Sequence, residues 1–339
     1  MRAAWLLPLL LVSPVMAQSP EDYQDYEDYD DWNMGCAGGV SFDDVNSKTL
    51  SYSSCSFAGN QGGGSADFME MFVSVQGTGQ MHMEGFSARG NQQGGSVLAY
   101  EMELDILQVV EFVDDGDGKY VPGDDEAVKI YSLDGGWGSF RTSEPEDGGI
   151  YFEVDHPIGS GTFTLAATAT GSSYSAGGVS VKPLDTKIDF IFSDYRYNDP
   201  DSQLALVLHV ESEGFSAKGS SFGTNGAVVQ SRESGVVGNQ GATSLYFTWA
   251  KTADVDGVAK PVTSHVDILD SDGESAQGGG GSATFSETEA GITLAYARGT
   301  DIVHDPRLGV QFNVKNDSPG PPMVSTLAVV GLAMLLRRR

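Results

Sequence analysis

Between Val113 and Glu126 the chain reads Val-Asp-Asp-Gly-Asp-Gly-Lys-Tyr-Val-Pro-Gly-Asp-Asp-Glu, which sets the carboxylates of Asp114, Asp115, Asp117, Asp124, Asp125 and Glu126 in one glycine-punctuated segment. Hard cations take about six to eight oxygens at ~2.3–2.6 Å, and glycines let carboxylates and carbonyls turn toward one point. Registered on the helix-loop-helix calcium motif, Asp115, Asp117 and Gly118 fall at positions 3, 5 and 6, whereas Val113 stands at position 1 and Asp124 at position 12, where a bidentate Glu belongs. The flanks read as strands. The sequence therefore predicts a Ca2+-stabilised hairpin loop, with a plain solvated acidic turn as the competing reading. The corresponding place later in the chain keeps only Asp254 and Asp256, so one site is expected.

Other motifs carry weaker chemistry. His82 with Glu84 and His209 with Glu211 form two His-x-Glu steps, whose side chains share a face in a strand. They could serve a metal or acid-base work, but a catalytic metal site usually needs three protein ligands. His156 and His304 stand beside prolines and read as turn residues. Gly219-Ser220-Ser221-Phe222-Gly223 matches G-x-S-x-G, yet that elbow works only on a strand-to-helix turn, and the surroundings here are β. Trp137, in a Gly-rich turn, is the candidate ligand contact, an aromatic platform for a sugar ring; Trp249 alternates toward a core. The Gly-rich tracts lack the Gly-Lys-Ser/Thr ending of a phosphate loop, so no nucleotide is expected. No motif points to an enzyme.

The elements that would position these residues are strands. From about Cys36 to Phe312 short alternating runs prevail: Leu98, Tyr100, Met102, Leu104, Ile106; Phe163, Leu165, Ala167, Ala169; Ile188, Phe190, Phe192; Leu204, Leu206, Leu208, Val210; Leu245, Phe247, Trp249; Ile292, Leu294, Tyr296. Period-2 alternation buries one set and wets the other. Segments also echo one another. His82-Met83-Glu84-Gly85-Phe86-Ser87-Ala88 returns as His209-Val210-Glu211-Ser212-Glu213-Gly214-Phe215-Ser216-Ala217, offset by 129 at the Phe-Ser-Ala core. Asp117-Gly118 is echoed by Asp256-Gly257, Gly149-Ile150-Tyr151-Phe152 by Gly291-Ile292-Thr293-Leu294, and Val154-Asp155-His156-Pro157 by Val303-His304-Asp305-Pro306. The expectation is an all-β protein of two tandem related β-sandwich units, 36–185 and 186–315, from an internal duplication; one large sandwich of two duplicated halves is the alternative.

The ends set the address. Met1-Arg2, the apolar run Ala3 to Val12 and Val15-Met16-Ala17 have the order of a secretory signal peptide, 1–17. Residues 18–35 form an acidic, Tyr-rich arm without a core-forming pattern. Two cysteines, Cys36 and Cys55, follow in a compartment that permits oxidation; a disulfide between them would contribute about 3 kcal/mol in the chain-entropy model. The segment 316–339 carries Asn316-Asp317-Ser318, a glycosylation acceptor at Asn316, then Pro319-Gly320-Pro321-Pro322, an apolar stretch Met323 to Leu336 and Arg337-Arg338-Arg339. That stretch reaches only about 21 Å as a helix against a ~30 Å hydrocarbon core, which favours a processed anchor over a lasting span.

These last residues resemble the PGF-CTERM sorting tails of archaeal surface proteins handled by archaeosortases, with Pro321 and Pro322 where a Phe would follow Gly320. The resemblance covers the tail alone and implies a membrane tether, with the body outside the cell. The net charge of -28 repels nucleic acid and suits a salt-rich exterior. Together these features predict a secreted, membrane-tethered, cell-surface protein with a structural or adhesive role. A module binding surface glycans or other surface proteins is the first alternative, and a secreted hydrolase the second.

Overall fold

The structure, a computed structural model, describes residues 39–60, 63–89, 96–144, 149–171, 174–176, 179–181, 183–213, 233–240, 243–270, 273–276, 283–286 and 288–312. The signal peptide, the acidic arm, Cys36, the G-x-S-x-G segment and the tail with Asn316 lie outside them. Every described element is a strand, and every pairing is antiparallel.

The chain opens as a meander of β1 (Gly39–Val45), β2 (Thr49–Asn60), β3 (Gly63–Ser74), β4 (Gly79–Arg89) and β5 (Ser96–Val113). The acidic segment follows, and β6 (Glu126–Ser132) returns beside the second half of β5. A second layer begins with β7 (Arg141–Ser143), β8 (Gly149–Ile158) and β9 (Gly161–Thr170). After a small hairpin of β10 (Tyr174–Ala176) and β11 (Val179–Val181), β12 (Asp185–Ser193) pairs with β9. β13 (Ser202–Glu213) then crosses back to pair with β5 in the first layer. β14 (Glu233–Gln240), β15 (Thr243–Ala250) and β16 (Thr252–Val255) belong to the second layer. β17 (Val258–Asp270) passes from one layer to the other, pairing first with β16 and then with β20 (Thr288–Tyr296). A hairpin of β18 (Gly273–Ala276) and β19 (Ala283–Ser286) precedes β20; β21 (Ile302–His304) and β22 (Pro306–Phe312) complete the second layer against β12.

The alternation read from sequence decides which side chains meet. Met102, Leu104 and Ile106 of β5, Leu204 to Val210 of β13 at every second position, and Ile292, Leu294 and Tyr296 of β20 are buried. Phe163, Leu165, Ile188, Phe190, Phe192, Leu245, Phe247 and Trp249 face them in the same core cluster. The layers touch directly: the rings of Tyr52 and Phe152 lie 6.2 Å apart and those of Phe192 and Tyr296 5.3 Å. The Tyr52 hydroxyl is 2.6 Å from Thr186 Oγ1 across the same gap.

The described strands do not show two tandem units with a boundary at 185. β13 bonds to β5 and β12 to β9, so described strands on both sides of the expected boundary share both layers and one core. The register of a long strand such as β5 leaves its second edge unpaired unless a later strand fills it, and β13 does so. One of the sequence echoes falls in different places: Gly149 to Phe152 opens β8 in the second layer, whereas Gly291 to Leu294 lies in β20 of the first.

Candidate metal centre

The segment between β5 and β6 folds as a strap rather than a free turn. An irregularity at Leu107, which the pairing with β13 skips between Ile106 and Gln108, shifts the alternation of β5, so that Val109 faces the main core and Val110 and Phe112 face outward from the first layer. There Val110, Phe112, Tyr120, Ala205 and Ala295 form a second apolar cluster. The rings of Phe112 and Tyr120 are 5.0 Å apart, so burying Tyr120 draws the loop across the sheet. Thr293 Oγ1 donates to Tyr120 O at 2.6 Å, and Thr263 Oγ1 donates to Gly118 O. Two hydroxyls of β20 and β17 thus fasten the loop.

Within it, carboxylates accept from nearby backbone N–H groups: Asp114 from Gly118 at 2.8 Å, Asp115 from Asp117 at 3.3 Å, Asp117 from Lys119 at 2.8 Å. Gly116, Gly118 and Gly123 have φ of +111°, +78° and +91°, conformations that residues with a Cβ rarely adopt. Asp114, Asp115 and Asp117 each present an oxygen within 4.8 Å of the others. The other three expected ligands do not join them. Asp125 Oδ2 accepts from Val121 N at 2.6 Å, its Oδ1 is buried with no hydrogen-bond partner among the described residues, and Asp124 and Glu126 are exposed, Glu126 opening β6. The converged set offers one oxygen from each of three carboxylates, so a hard cation there would need loop carbonyls and water to complete its shell.

Asp254 and Asp256 have other work. Asp256 and Gly257, with φ of +52° and +81°, make the tight turn between β16 and β17. Asp256 accepts from Thr300 N, Thr300 Oγ1 and Asp301 N at 2.9–3.0 Å, which holds its carboxyl below the usual range, and Asp254 accepts from Gly257 N.

Trp137 is not an exposed platform. It is 3 % exposed, its Nε1–H donates to Leu133 O at 2.7 Å, and its ring packs against Gly79, His156 and Phe163. The Gly-rich turn that suggested access instead lets the indole fold inward. His156 and His304 are likewise buried strand residues rather than exposed turns. Cys55 is buried on β2 opposite Gly39, three residues from Cys36 in sequence.

Several charged groups were invisible to motif reading. Glu111, fully buried, accepts from Tyr195 OH, Asn198 N, Asn198 Nδ2, Asp199 N and Ser202 Oγ at 2.6–3.0 Å. Burial opposes its charge, but these donors hold its carboxyl below the usual range. Lys187 Nζ lies 2.9 Å from Asp305 Oδ1 and also pairs with Asp189, on the outer face of the second layer. Burial and a hydrogen bond with Asp305 push Asp189 up to about 7 despite the ammonium beside it. The only advance signal was parity: Glu111, Lys187 and Asp189 stand in strands where a neighbour alternates into the core. Comparison with known protein families and with curated proteins finds no match.

Proposed function

We propose that this is a secreted, membrane-tethered surface protein with a structural or adhesive, non-enzymatic role, its sandwich stiffened by Ca2+ at Asp114, Asp115 and Asp117. The observation that carries the calcium reading is the convergence of those three carboxylates in a strap fastened to β17 and β20. An ion there would neutralise charges that repel one another at short range and lock the strap over the apolar cluster of Val110, Phe112 and Tyr120. Surface attachment rests on the two ends of the sequence and on the resemblance of the tail to archaeal sorting signals. Cys36 and Cys55 would tie the start of β1 to β2: three residues from Gly39 span at most ~11 Å, within reach of the ~5.5 Å Cα separation a disulfide needs. The sequence echoes, in this reading, are relics of a duplication whose halves have since merged into one core.

The test is thermal unfolding of the purified protein with calcium and with EDTA. Chelation is expected to lower the midpoint by several degrees, and Asp115→Asn with Asp117→Asn to remove the difference; identical melts sink the calcium reading. Intact mass of the same sample gives the mature termini, the Cys36–Cys55 bond and any glycan at Asn316.

A further inference from the structure

Lys187 of β12 stands on the outer face of the second layer, between Thr168 of β9 and Arg307 of β22. A lysine on such a face ordinarily lays its stem along the sheet and sends the ammonium to water. This one turns inward: its side chain is 9 % exposed, and Nζ is held between Asp189, two residues along the same face, and Asp305 Oδ1 at 2.9 Å. The pairs Phe190↔His304 and Lys187↔Arg307 share one register, which sets Asp305, at the junction of β21 and β22, across from Asp189. Neighbouring cations are engaged elsewhere. Arg141 donates to Glu153 and Asp155 at 2.7–3.0 Å, and Arg307 Nη1 lies 3.8 Å from Asp185 Oδ2.

The two acids around Lys187 differ in state. Their carboxyls hydrogen-bond to one another, which requires a proton on one of them. Burial and that bond raise Asp189, whereas for Asp305 burial is outweighed by the bond from Asp189 and by the Lys187 ammonium, which hold it below the usual range. Asp189 is therefore the acid that donates, and Asp305 the carboxylate that accepts from both Asp189 and Lys187. A buried amine thus rests against a carboxylate, and a carboxylic acid touches both. Holding reacting groups in such contact is equivalent to an effective concentration of about 10⁵–10⁸ M.

We infer that Lys187 and Asp305 condense into an intramolecular isopeptide bond, Nζ to Cγ, with Asp189 as the acid that moves protons between them. The ammonium passes one proton to the Asp305 carboxylate by way of Asp189, and the freed nitrogen pair adds to Cγ. The bond from Cγ to one Oδ then breaks, and that oxygen departs as water. Of the four mobile protons, three on the ammonium and one on Asp189, two leave in the water, one stays on the amide nitrogen and one returns to Asp189. Asp189 ends protonated, as it began, and donates to the new amide oxygen. No oxidant, reductant or cofactor enters, and a buried ion pair, costly to desolvate, becomes a neutral amide.

The bond would join positions 118 apart in sequence, tying β12 to the corner between β21 and β22. A cross-link that closes so long a loop removes conformations from the unfolded chain that a short one leaves. It depends on neither the calcium loop nor surface attachment.

Mass spectrometry of the full-length protein, unfolded and then digested with trypsin, tests this. The wild type is expected to be lighter than its sequence by one water, to resist cleavage after Lys187, and to yield a branched peptide joining the Lys187 segment to 299–307. Lys187→Arg and Asp305→Ala are expected to show the uncondensed mass and a separate 299–307 peptide. Asp189→Ala keeps both partners and is expected to leave them unjoined. The wild-type digest decides the matter even where a variant fails to fold. Cleavage after Lys187 with a free 299–307 peptide in the wild type would mean an ion pair only and overturn the proposal, and a joined peptide in Asp189→Ala would overturn the role of Asp189.

Discussion

Glu111 accepts five hydrogen bonds inside the sandwich, and one carboxylate thereby fixes the path of the chain from Tyr195 to Ser202. Glu111→Gln keeps the shape but puts an amide where donors converge. It is expected to cost about 2–4 kcal/mol in denaturant unfolding, since breaking a buried hydrogen-bonded charge leaves its donors unsatisfied. His304 and Asp189 give stability two opposing pH slopes. The Ala250 carbonyl can only accept, so His304 Nε2 carries the proton and Nδ1 accepts from Tyr296 OH. Burial lowers this imidazole to about 4, so the unfolded chain takes up a proton first and roughly 3 kcal/mol of stability is lost as pH falls from 6.5 to about 4. Asp189 is raised to about 7, so the folded state holds the extra proton and its contribution is lost as pH rises from about 4 to 7. Unfolding free energies measured across that range should climb with pH in Asp189→Asn and decline in His304→Gln. Slopes unaltered by either change would refute the assignment.

At the scale of elements, the strap between β5 and β6 shows how a loop can be as determined as a strand. Its glycines set the turn, Tyr120 supplies the apolar anchor, and hydroxyls from strands more than a hundred residues later complete it. A Cβ at Gly118 would meet Thr263 Cγ2 at 3.6 Å, an ordinary contact, so Gly118→Ala is penalised by its backbone alone. The expected loss is about 1–2 kcal/mol, together with weaker calcium stabilisation, read from paired melts. A variant as stable and as calcium-responsive as the wild type would show that the positive φ is dispensable.

At the scale of the whole molecule, one core shared by both layers implies one cooperative transition. Phe190 is fully buried between Phe163 and the facing layer, and Phe190→Ala should lower that single transition by about 3–5 kcal/mol. Calorimetry resolving two transitions, only one of them moved, would restore the tandem picture. The sequence by itself determined the strands, because a period of two is a local property that each buried set from Phe163 to Tyr296 displays. It also determined which loop gathers carboxylates, because Asp114, Asp115 and Asp117 are neighbours in the chain. Which strands pair across the former boundary, whether Trp137 faces inward, and that Glu103 opposes His82 and Asp105 opposes His209 were decided by the tertiary structure. These depend on register between strands as far apart as β5 and β13, and alternation assigns a residue to a face without saying what stands beside it.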